Sequence, residues 1–344
     1  MHLTTALPLG ALYFKHWHVD DTEVGVCVAK AAFEILPDGA LKTVRPAPDI
    51  ILEDAFDGDP AMGVATQEQE FAPSKTGTDI LIRAIAHAPG GKALSDWPVS
   101  VSIPDRLDYT FQVRGPARWD SGLLGWKMTD PEPVTEVPIS YALAYGGAAQ
   151  GDLQAEAPEV FEENPAGLGY ATPESLKGKA SFPAPQIGEL AEFMRNDVTR
   201  DMMVHGTGPI AKAWVPRRAF AGTFDEEWEQ TRHPRMPRDY DLSFWNCAHP
   251  RLQLRPFLRG DETIILTNMT PGGGPRRITL PGIRIMLAAT GDGISKNHTM
   301  KLDTVDIDVS DTDPTRHRVN ILWRARVTGP ERFTAGDLQS SRLE

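Results

Sequence analysis

The sequence predicts a mainly β protein, built as an antiparallel β-sandwich or as barrel-like sheets, with long Pro/Gly/Trp-rich loops and few short helices. The first observation is composition: the 344 residues include 30 glycines and 29 prolines, spread between short apolar stretches, which is typical of many turns. The second is the alternation of apolar and polar residues in several stretches, which indicates half-buried strands. The third is that the long middle of the chain has only one short helical pattern, at residues 187–194.

Two apolar stretches in the first quarter of the chain predict strands. Residues 24–36 are apolar on both alternating faces, the pattern of a central strand that is covered on two sides. A Pro-Asp-Gly turn follows at residues 37–39. Residues 80–88 form the second strand, which a Pro-Gly-Gly sequence ends.

The next stretch contains the clearest local signal, a β-hairpin. Apolar residues occupy every second position from Val99 to Ile103 and again from Leu107 to Val113, on either side of a Pro-Asp-Arg turn. A period of two in both arms predicts a half-buried antiparallel pair.

The periodicity fades between residues 118 and 198. A loop region of this length inside a compact domain is either functional or conceals elements that the pattern does not reveal. Its aromatic content argues against disorder. The aromatic residues are Trp119, Trp126, Tyr141, Phe161 and Phe182.

Residues 214–228 are the stretch around which we expect the chain to be organised. Trp214 and Trp228 bracket this segment, and large aromatic side chains at this spacing usually fix a connection onto a core. Gly222 permits an unusual backbone angle. Thr223 and Glu226 have the spacing of a capping box that opens a short helix. The segment predicts structural anchoring, with a recognition surface as the alternative.

Strand patterns return at residues 262–267, 277–280, 283–289, 305–309 and 319–327. Asp306 and Asp308 are expected to face Arg324 and Arg326 across the last pair and so to set its register. We predict one intertwined domain at residues 1–330, with an N-terminal sheet at about 20–115, a loop-rich middle at 116–254 and a C-terminal sheet at 255–330. A flexible tail is expected at residues 331–344.

The formal net charge of −12 argues against a general nucleic-acid-binding surface. Two cysteines, Cys27 and Cys247, fit buried thiols in a reducing compartment better than a disulfide framework. The N-terminus lacks the layout of a signal peptide, and no apolar run is long enough to span a membrane. We therefore expect a soluble cytoplasmic protein, whose oligomeric state stays open.

Few residues have the spacing of a catalytic or metal site. His16 and His18, with Asp20 or Asp21, form a weak metal-ligand pattern. Cys247 has only His249 near it, without a third orienting group. The best catalytic set combines histidines and carboxylates suited to acid–base work, and it supports an alternative function as a hydrolase. This set is His233, Asp239, Asp241 and His249. We expect no cofactor and no metal.

A series of short motifs, in a fixed order, runs through nearly the whole chain. They lie at residues 28–33, 58–60, 75–79, 87–91, 141–147, 164–169, 214–217, 222–228, 237–241, 246–248, 260–262, 280–281 and 322–324. In these motifs the chain resembles an uncharacterised-domain family encoded beside the spike and PAAR-tip genes of bacterial type VI secretion systems. Phe224 departs from the family's usual tyrosine. Residues 248–253 replace a more acidic, glutamine-rich run, which leaves partner choice open.

The resemblance implies a non-enzymatic adaptor or chaperone that binds a secreted effector. Its partners would be that effector and the spike or PAAR protein. It implies no catalytic residue. The motif residues are the candidates for partner contact: Tyr145, Gly146, Gly147, Asn164, Pro165, Gly167, Trp214, Arg217, Gly222, Thr223, Asp225, Trp228, Asp239, Asp241 and Asn246. Besides the hydrolase, a carbohydrate-binding β module is the other alternative, and it requires exposed coplanar aromatic rings.

Overall fold

The computed structural model describes residues 1–149, 159–195 and 197–340. Its α-helices are short: α1 (Leu190–Arg195), α2 (Val215–Arg218) and α3 (Glu226–Thr231). The strands up to residue 138 are β1 (His2–Thr4), β2 (Gly10–Trp17), β3 (Glu23–Ile35), β4 (Leu41–Thr43), β5 (Ala55–Asp57), β6 (Val64–Gln67), β7 (Thr78–Arg83), β8 (Ile85–His87), β9 (Asp96–Ile103), β10 (Leu107–Arg114), β11 (Arg118–Gly122), β12 (Gly125–Met128) and β13 (Glu136–Pro138). The later strands are β14 (Tyr145–Gly146), β15 (Leu168–Gly169), β16 (Ser181–Pro183), β17 (Ile187–Gly188), β18 (Gln253–Leu254), β19 (Thr263–Thr267), β20 (Pro275–Thr279), β21 (Met286–Gly291), β22 (Ile294–Thr299), β23 (Lys301–Asp308), β24 (Arg318–Thr328) and β25 (Ala335–Gln339).

The largest sheet has seven strands, in the order β18-β7-β23-β24-β3-β2, with β4 also paired to β3. All its pairs are antiparallel except the parallel pair of β7 and β23. Strand β3 confirms the predicted central strand: Ala29 and Phe33 point into the main core, and Val26 and Val28 pack into a second cluster on the opposite face. Strands from the N-terminal and C-terminal parts of the chain are therefore mixed in one sheet, instead of forming the separate N- and C-terminal sheets that the sequence predicts.

A five-stranded sheet, in the order β17-β10-β9-β19-β20, packs against the inner face of the seven-stranded sheet. The predicted hairpin is confirmed as β9 and β10, which pair from Leu107 and Ile103 at the turn to Arg114 and Asp96 at the open end. Every second residue of both arms is buried, as the alternation requires.

The four-stranded sheet, in the order β1-β25-β21-β22, corrects the prediction for the end of the chain. Residues 335–339 are not a flexible tail, because β25 lies between β1 and β21 and hydrogen-bonds to both. Its Leu338 is buried in the main core. The remaining predicted tail at 341–344 lies outside the described residues.

The middle of the chain contains short elements that periodicity does not reveal. A three-stranded sheet, β12-β11-β16, packs Trp119 and Phe182 into a satellite cluster. The predicted helix at 187–194 begins later, at Leu190, because Ile187 is already paired with Val113 of β10.

The fold is mainly β, as predicted, with several mostly antiparallel sheets. Among the described residues, no sheet closes on itself into a barrel. In the same part of the chain, no helix is long and apolar enough to cross a bilayer.

Candidate functional site

Two sequence motifs meet at a buried carboxylate, that of Asp79 on β7. Asn246 donates from Nδ2 to Asp79 Oδ1 over 3.0 Å, and the backbone N–H of Cys247 donates to Oδ2 over 2.9 Å. Asn246 also accepts hydrogen bonds from the N–H and hydroxyl of Thr76. The motifs 75–79 and 246–248 therefore form one buried polar network, although they are far apart in sequence.

Lys75 neutralises this carboxylate. Its Nζ lies 2.7 Å from Asp79 Oδ2 and donates to Thr304 Oγ1 over 2.9 Å. Burial alone lowers the pKa of the Lys75 ammonium, but the nearby Asp79, Cys247 and Asp303 raise that pKa above its usual value. Burial also raises the pKa of the Cys247 thiol, which keeps it protonated and a poor nucleophile.

A segment of the chain crosses the outer face of the seven-stranded sheet and is held there by cations from that face. Arg324 forms an ion pair with Asp303 and donates to the carbonyl oxygens of Glu70 and Ala72. Lys30 binds the Glu70 carboxylate over 2.7 Å. We call residues 66–75 the covering segment.

A cavity of about 340 Å³ lies beside the covering segment, over β7, β23 and β24. Its charged lining is largely paired. Arg83 binds Asp306 over 3.0 Å and Asp308 over 3.1 Å, and Lys75 and Arg324 are held by the carboxylates described above. The cavity is therefore polar but close to electrically balanced, which suits a small polar ligand better than a strongly charged one.

The pairing around this cavity corrects the predicted register of the last two long strands. In the antiparallel pair, Asp306 lies opposite Asn320 and Asp308 lies opposite Arg318. Arg324 lies near the other end of the pair, opposite Lys301. The two carboxylates bind Arg83 of the neighbouring β7 instead, a contact that depends on the parallel pairing of β7 with β23.

Trp214 and Arg217, from the segment that the sequence singles out, are buried anchors. Trp214 is fully buried and meets the Tyr141 ring edge-on, with the ring centroids 5.6 Å apart. The Arg217 guanidinium makes two hydrogen bonds to the Glu68 carboxylate, at 3.0 and 2.9 Å, and donates to the carbonyl oxygens of Ile210 and Phe244. Arg217 thus ties α2 to the covering segment, and Trp214 fixes the start of α2 in a buried cluster with Tyr141.

The glycine-rich motif 145–147 packs against the motif 164–169. Asn164 is buried and donates from Nδ2 to the carbonyl oxygens of Tyr141 and Tyr145, each over 2.9 Å. Gly147 has a φ of +86°, and a Cβ there would lie 2.1 Å from the carbonyl oxygen of Gly167. These residues form a close backbone crossing, and Tyr145, Gly146, Gly147 and Asn164 are all buried. Pro165 and Gly167 are half-buried.

The predicted capping box at Thr223 is wrong, and the helix begins two residues later. Asp225 is the N-cap of α3 and accepts from the backbone N–H of Trp228 over 2.8 Å. Thr223 is not available, because its N–H and hydroxyl both donate to the Asp239 carboxylate, over 3.0 and 2.7 Å. Gly222, with a φ of +76°, allows this close approach. Trp228 is only half-buried.

The four residues of the hydrolase alternative have separate partners. Asp239 accepts from Thr223, as described above, and Asp241 accepts from the backbone N–H of Ser243 in the turn that follows it. His249 is buried and lies 3.1 Å from the carbonyl oxygen of Val204, whereas His233 is exposed. Among the described residues, no group of three histidine, cysteine or carboxylate side chains is placed to hold a metal ion.

The structure also contains a buried aromatic stack that the sequence does not reveal. The rings of His205 and His249 stack on Tyr109 of β10, with centroid distances of 5.9 and 4.8 Å. Burial, reinforced by Arg251, lowers the pKa of His205 to about 4. Burial and the neighbouring His205 likewise lower the pKa of His249 to about 4. Only the alternation of β10 marks Tyr109 as buried, and nothing in the sequence pairs it with these histidines.

Among the residues that the structure describes, the most exposed large apolar side chains belong to the hairpin of β11 and β12. Leu123 and Leu124 form its tip and are fully solvent-exposed, at 106% and 105%. The base of the hairpin is packed, since Trp126 contacts the buried Phe182 ring at 5.3 Å. Sequence reasoning missed this pair, because a Gly-Leu-Leu-Gly sequence in a region without periodicity gives no sign of exposure.

Comparisons with known proteins give one match. A family model described as "Uncharacterized protein conserved in bacteria (DUF2169)" matches residues 20–324, a region that includes all the motifs from 28–33 to 322–324. No curated protein and no solved structure matches the chain.

Proposed function

Because the chain belongs to the DUF2169 family of proteins conserved in bacteria, we propose that it is a non-catalytic adaptor or chaperone for type VI secretion. In this role it binds an effector, or the PAAR-linked segment of one, in the cytoplasm and holds it for loading onto the spike. The observation that carries the proposal is the exposed leucine pair, Leu123 and Leu124, at the tip of a packed hairpin.

The leucine pair supports a contact with an apolar surface of another polypeptide. Burying a leucine side chain contributes roughly 1.5–3 kcal/mol, so two adjacent leucines stabilise a complex measurably. Helix α1, whose Phe193 packs on the same buried cluster as Trp126 of the hairpin, exposes Leu190 and Met194, and Met203 is exposed as well. Met203 is tied to that helix, since its backbone N–H donates to Glu192 over 2.9 Å. Exposed apolar side chains on elements that share a packed base are typical of interaction surfaces.

The buried polar networks are a second observation that supports the same role, because they make the framework rigid. Asp79, Lys75 and Arg217 have their charges satisfied within the protein and hold the framework rigid. A rigid framework that presents apolar side chains loses little conformational entropy when it binds a partner.

The proposal is tested by purifying the tagged protein from its native bacterium and identifying bound proteins by mass spectrometry. We expect a type VI effector to co-purify and to accumulate poorly in a deletion strain. The double substitution Leu123→Ser and Leu124→Ser is expected to reduce this co-purification at least about tenfold. Leu52→Ser, at an exposed leucine elsewhere, is the matched control and should leave it unchanged. Normal effector levels and normal secretion in the deletion strain would contradict the proposal.

A further inference from the structure

Two neighbouring cavities, of about 260 and 330 Å³, lie where β22 ends and β23 begins. They share Phe257, Thr299 and Lys301 in their linings, so they form one continuous depression. We call it the cationic groove. Its lining includes no residue of the hairpin of β11 and β12, and none of the sequence motifs predicts it as a ligand site.

The groove is positively charged in a protein whose net charge is −12. Lys301, Arg284 and Arg326 are exposed on its walls, and no carboxylate among the described residues lies within ion-pair distance of them. Asp303 is the only carboxylate among the described lining residues, and Arg324 already binds it. The groove therefore has unpaired cations that a carboxylate ligand would satisfy.

Lys75 and Arg259 also line the groove, but each has a carboxylate partner, Asp79 and Asp261. The remaining lining is apolar or carries single hydroxyl groups. Phe257 is half-buried, Leu258 and Met300 are buried beneath the groove, and the hydroxyls of Ser74 and Thr299 line it. Two adjoining cavities with an apolar floor and cationic walls fit a peptide segment that carries both apolar and acidic side chains.

We propose that the cationic groove binds an extended acidic segment of a protein partner, with its carboxylates on Lys301, Arg326 and Arg284 and an apolar side chain against Phe257. The inference deepens the adaptor role and rests on it in taking a polypeptide as the ligand. A nucleic acid is the less favourable polyanion, because the overall negative charge repels a long charged backbone and the apolar floor offers it little.

The test measures binding of a fluorescein-labelled peptide, in which glutamates alternate with valine and leucine, to the purified full-length protein. We expect saturable binding that weakens as salt increases. A peptide with glutamine in place of glutamate should bind at least about tenfold more weakly. A labelled single-stranded oligonucleotide is the competing probe and should bind more weakly than the acidic peptide.

The double substitution Lys301→Gln and Arg326→Gln is expected to lower peptide affinity at least about tenfold, because it removes two wall charges. Lys296→Gln is the matched control: Lys296 is exposed on β22 but does not line the groove, so affinity should stay unchanged. Arg284→Gln, made separately, tests the third cation. Thermal unfolding of each variant verifies that it is folded, as expected for exposed side chains.

Absence of peptide binding to the unaltered protein, equal binding of the glutamine peptide, unchanged affinity of the double variant or tighter binding of the oligonucleotide would each overturn the proposal. The assay is independent of the co-purification experiment. The variant carrying Leu123→Ser and Leu124→Ser should keep its affinity for the acidic peptide. Failure of the groove is thus distinguishable from failure of the adaptor role.

Discussion

Individual buried charges in this protein are satisfied by several partners at once. Asp79 accepts from Lys75, from the Asn246 side chain and from the backbone of Cys247. Such a network brings little net stability relative to apolar packing, but removing one member leaves the others desolvated and unpaired. Its value lies in fixing the 246–248 segment onto β7, which places the neighbouring covering segment.

Asp79→Ala should therefore be strongly destabilising. It leaves the Lys75 ammonium buried without its carboxylate, at a cost of about 3–5 kcal/mol in the free energy of unfolding. Asp241→Ala removes an exposed cap and should cost only about 1 kcal/mol. Urea denaturation followed by circular dichroism measures both. Equal losses in the two variants would contradict the account of the buried network.

The two tryptophans that bracket residues 214–228 should differ in the same measurement. Trp214→Ala removes a fully buried ring that packs against Tyr141 and should cost about 3–5 kcal/mol. Trp228 is half-buried, and its indole N–H donates to the carbonyl oxygen of Arg235. Trp228→Ala should cost about 1–2 kcal/mol. A larger loss for Trp228→Ala would reverse the assignment of Trp214 as the anchor.

At the scale of elements, strand β10 carries Tyr109, which packs against two histidines whose protonation depends on pH. His205 and His249 stack on Tyr109 in their neutral forms, with Arg251 nearby and Glu189 Oε1 3.8 Å from His205 Nε2. Their pKa values in the folded protein, about 4, lie below the ordinary value of 6.5. Between these values the unfolded chain binds more protons than the folded one, so stability decreases as the pH falls.

The free energy of unfolding should have its full value above about pH 6.5 and should decrease progressively toward pH 4. Each histidine should account for a loss on the order of 3 kcal/mol over this range. Melting temperatures measured across this window provide the test. His205→Gln should flatten part of the decline, whereas His2→Gln, at an exposed position, should not. A melting temperature that stays constant from pH 7 to 4.5 in the unaltered protein would show that these histidines are not buried as neutral groups.

The elements that the sequence predicts well are those whose apolar pattern matches their burial. Strand β3 and the hairpin of β9 and β10 are of this kind. Strand β22 is not, because nearly all its side chains are exposed and its residues carry no apolar period. Pairings such as Asp79 with Asn246 and Tyr109 with His205 join distant segments, and a single sequence contains no signal for them.

At the scale of the whole molecule, the chain is tied together at both ends. The N-terminal β1 runs parallel to the C-terminal β25, and β25 runs antiparallel to β21. The sequence predicts a tail there because residues 331–344 are largely polar. A strand that is hydrogen-bonded along both edges, however, stays ordered in a sheet when only one of its faces is buried. Leu338, which is 2% exposed, supplies that contact with the main core.

Changes in β25 should consequently act on the stability of the whole protein. Leu338→Ala should lower the free energy of unfolding by about 2–5 kcal/mol, because it leaves a cavity in the main core. Gln339→Ala, at the exposed neighbouring position, should change it by less than about 0.5 kcal/mol. Truncation after Thr334 removes the strand and uncovers the edges of β1 and β21, so we expect a protein that aggregates or loses cooperative unfolding. If the truncated protein melted cooperatively at the original temperature, β25 would not be an integral strand, and the closure of the fold by its two termini would be wrong.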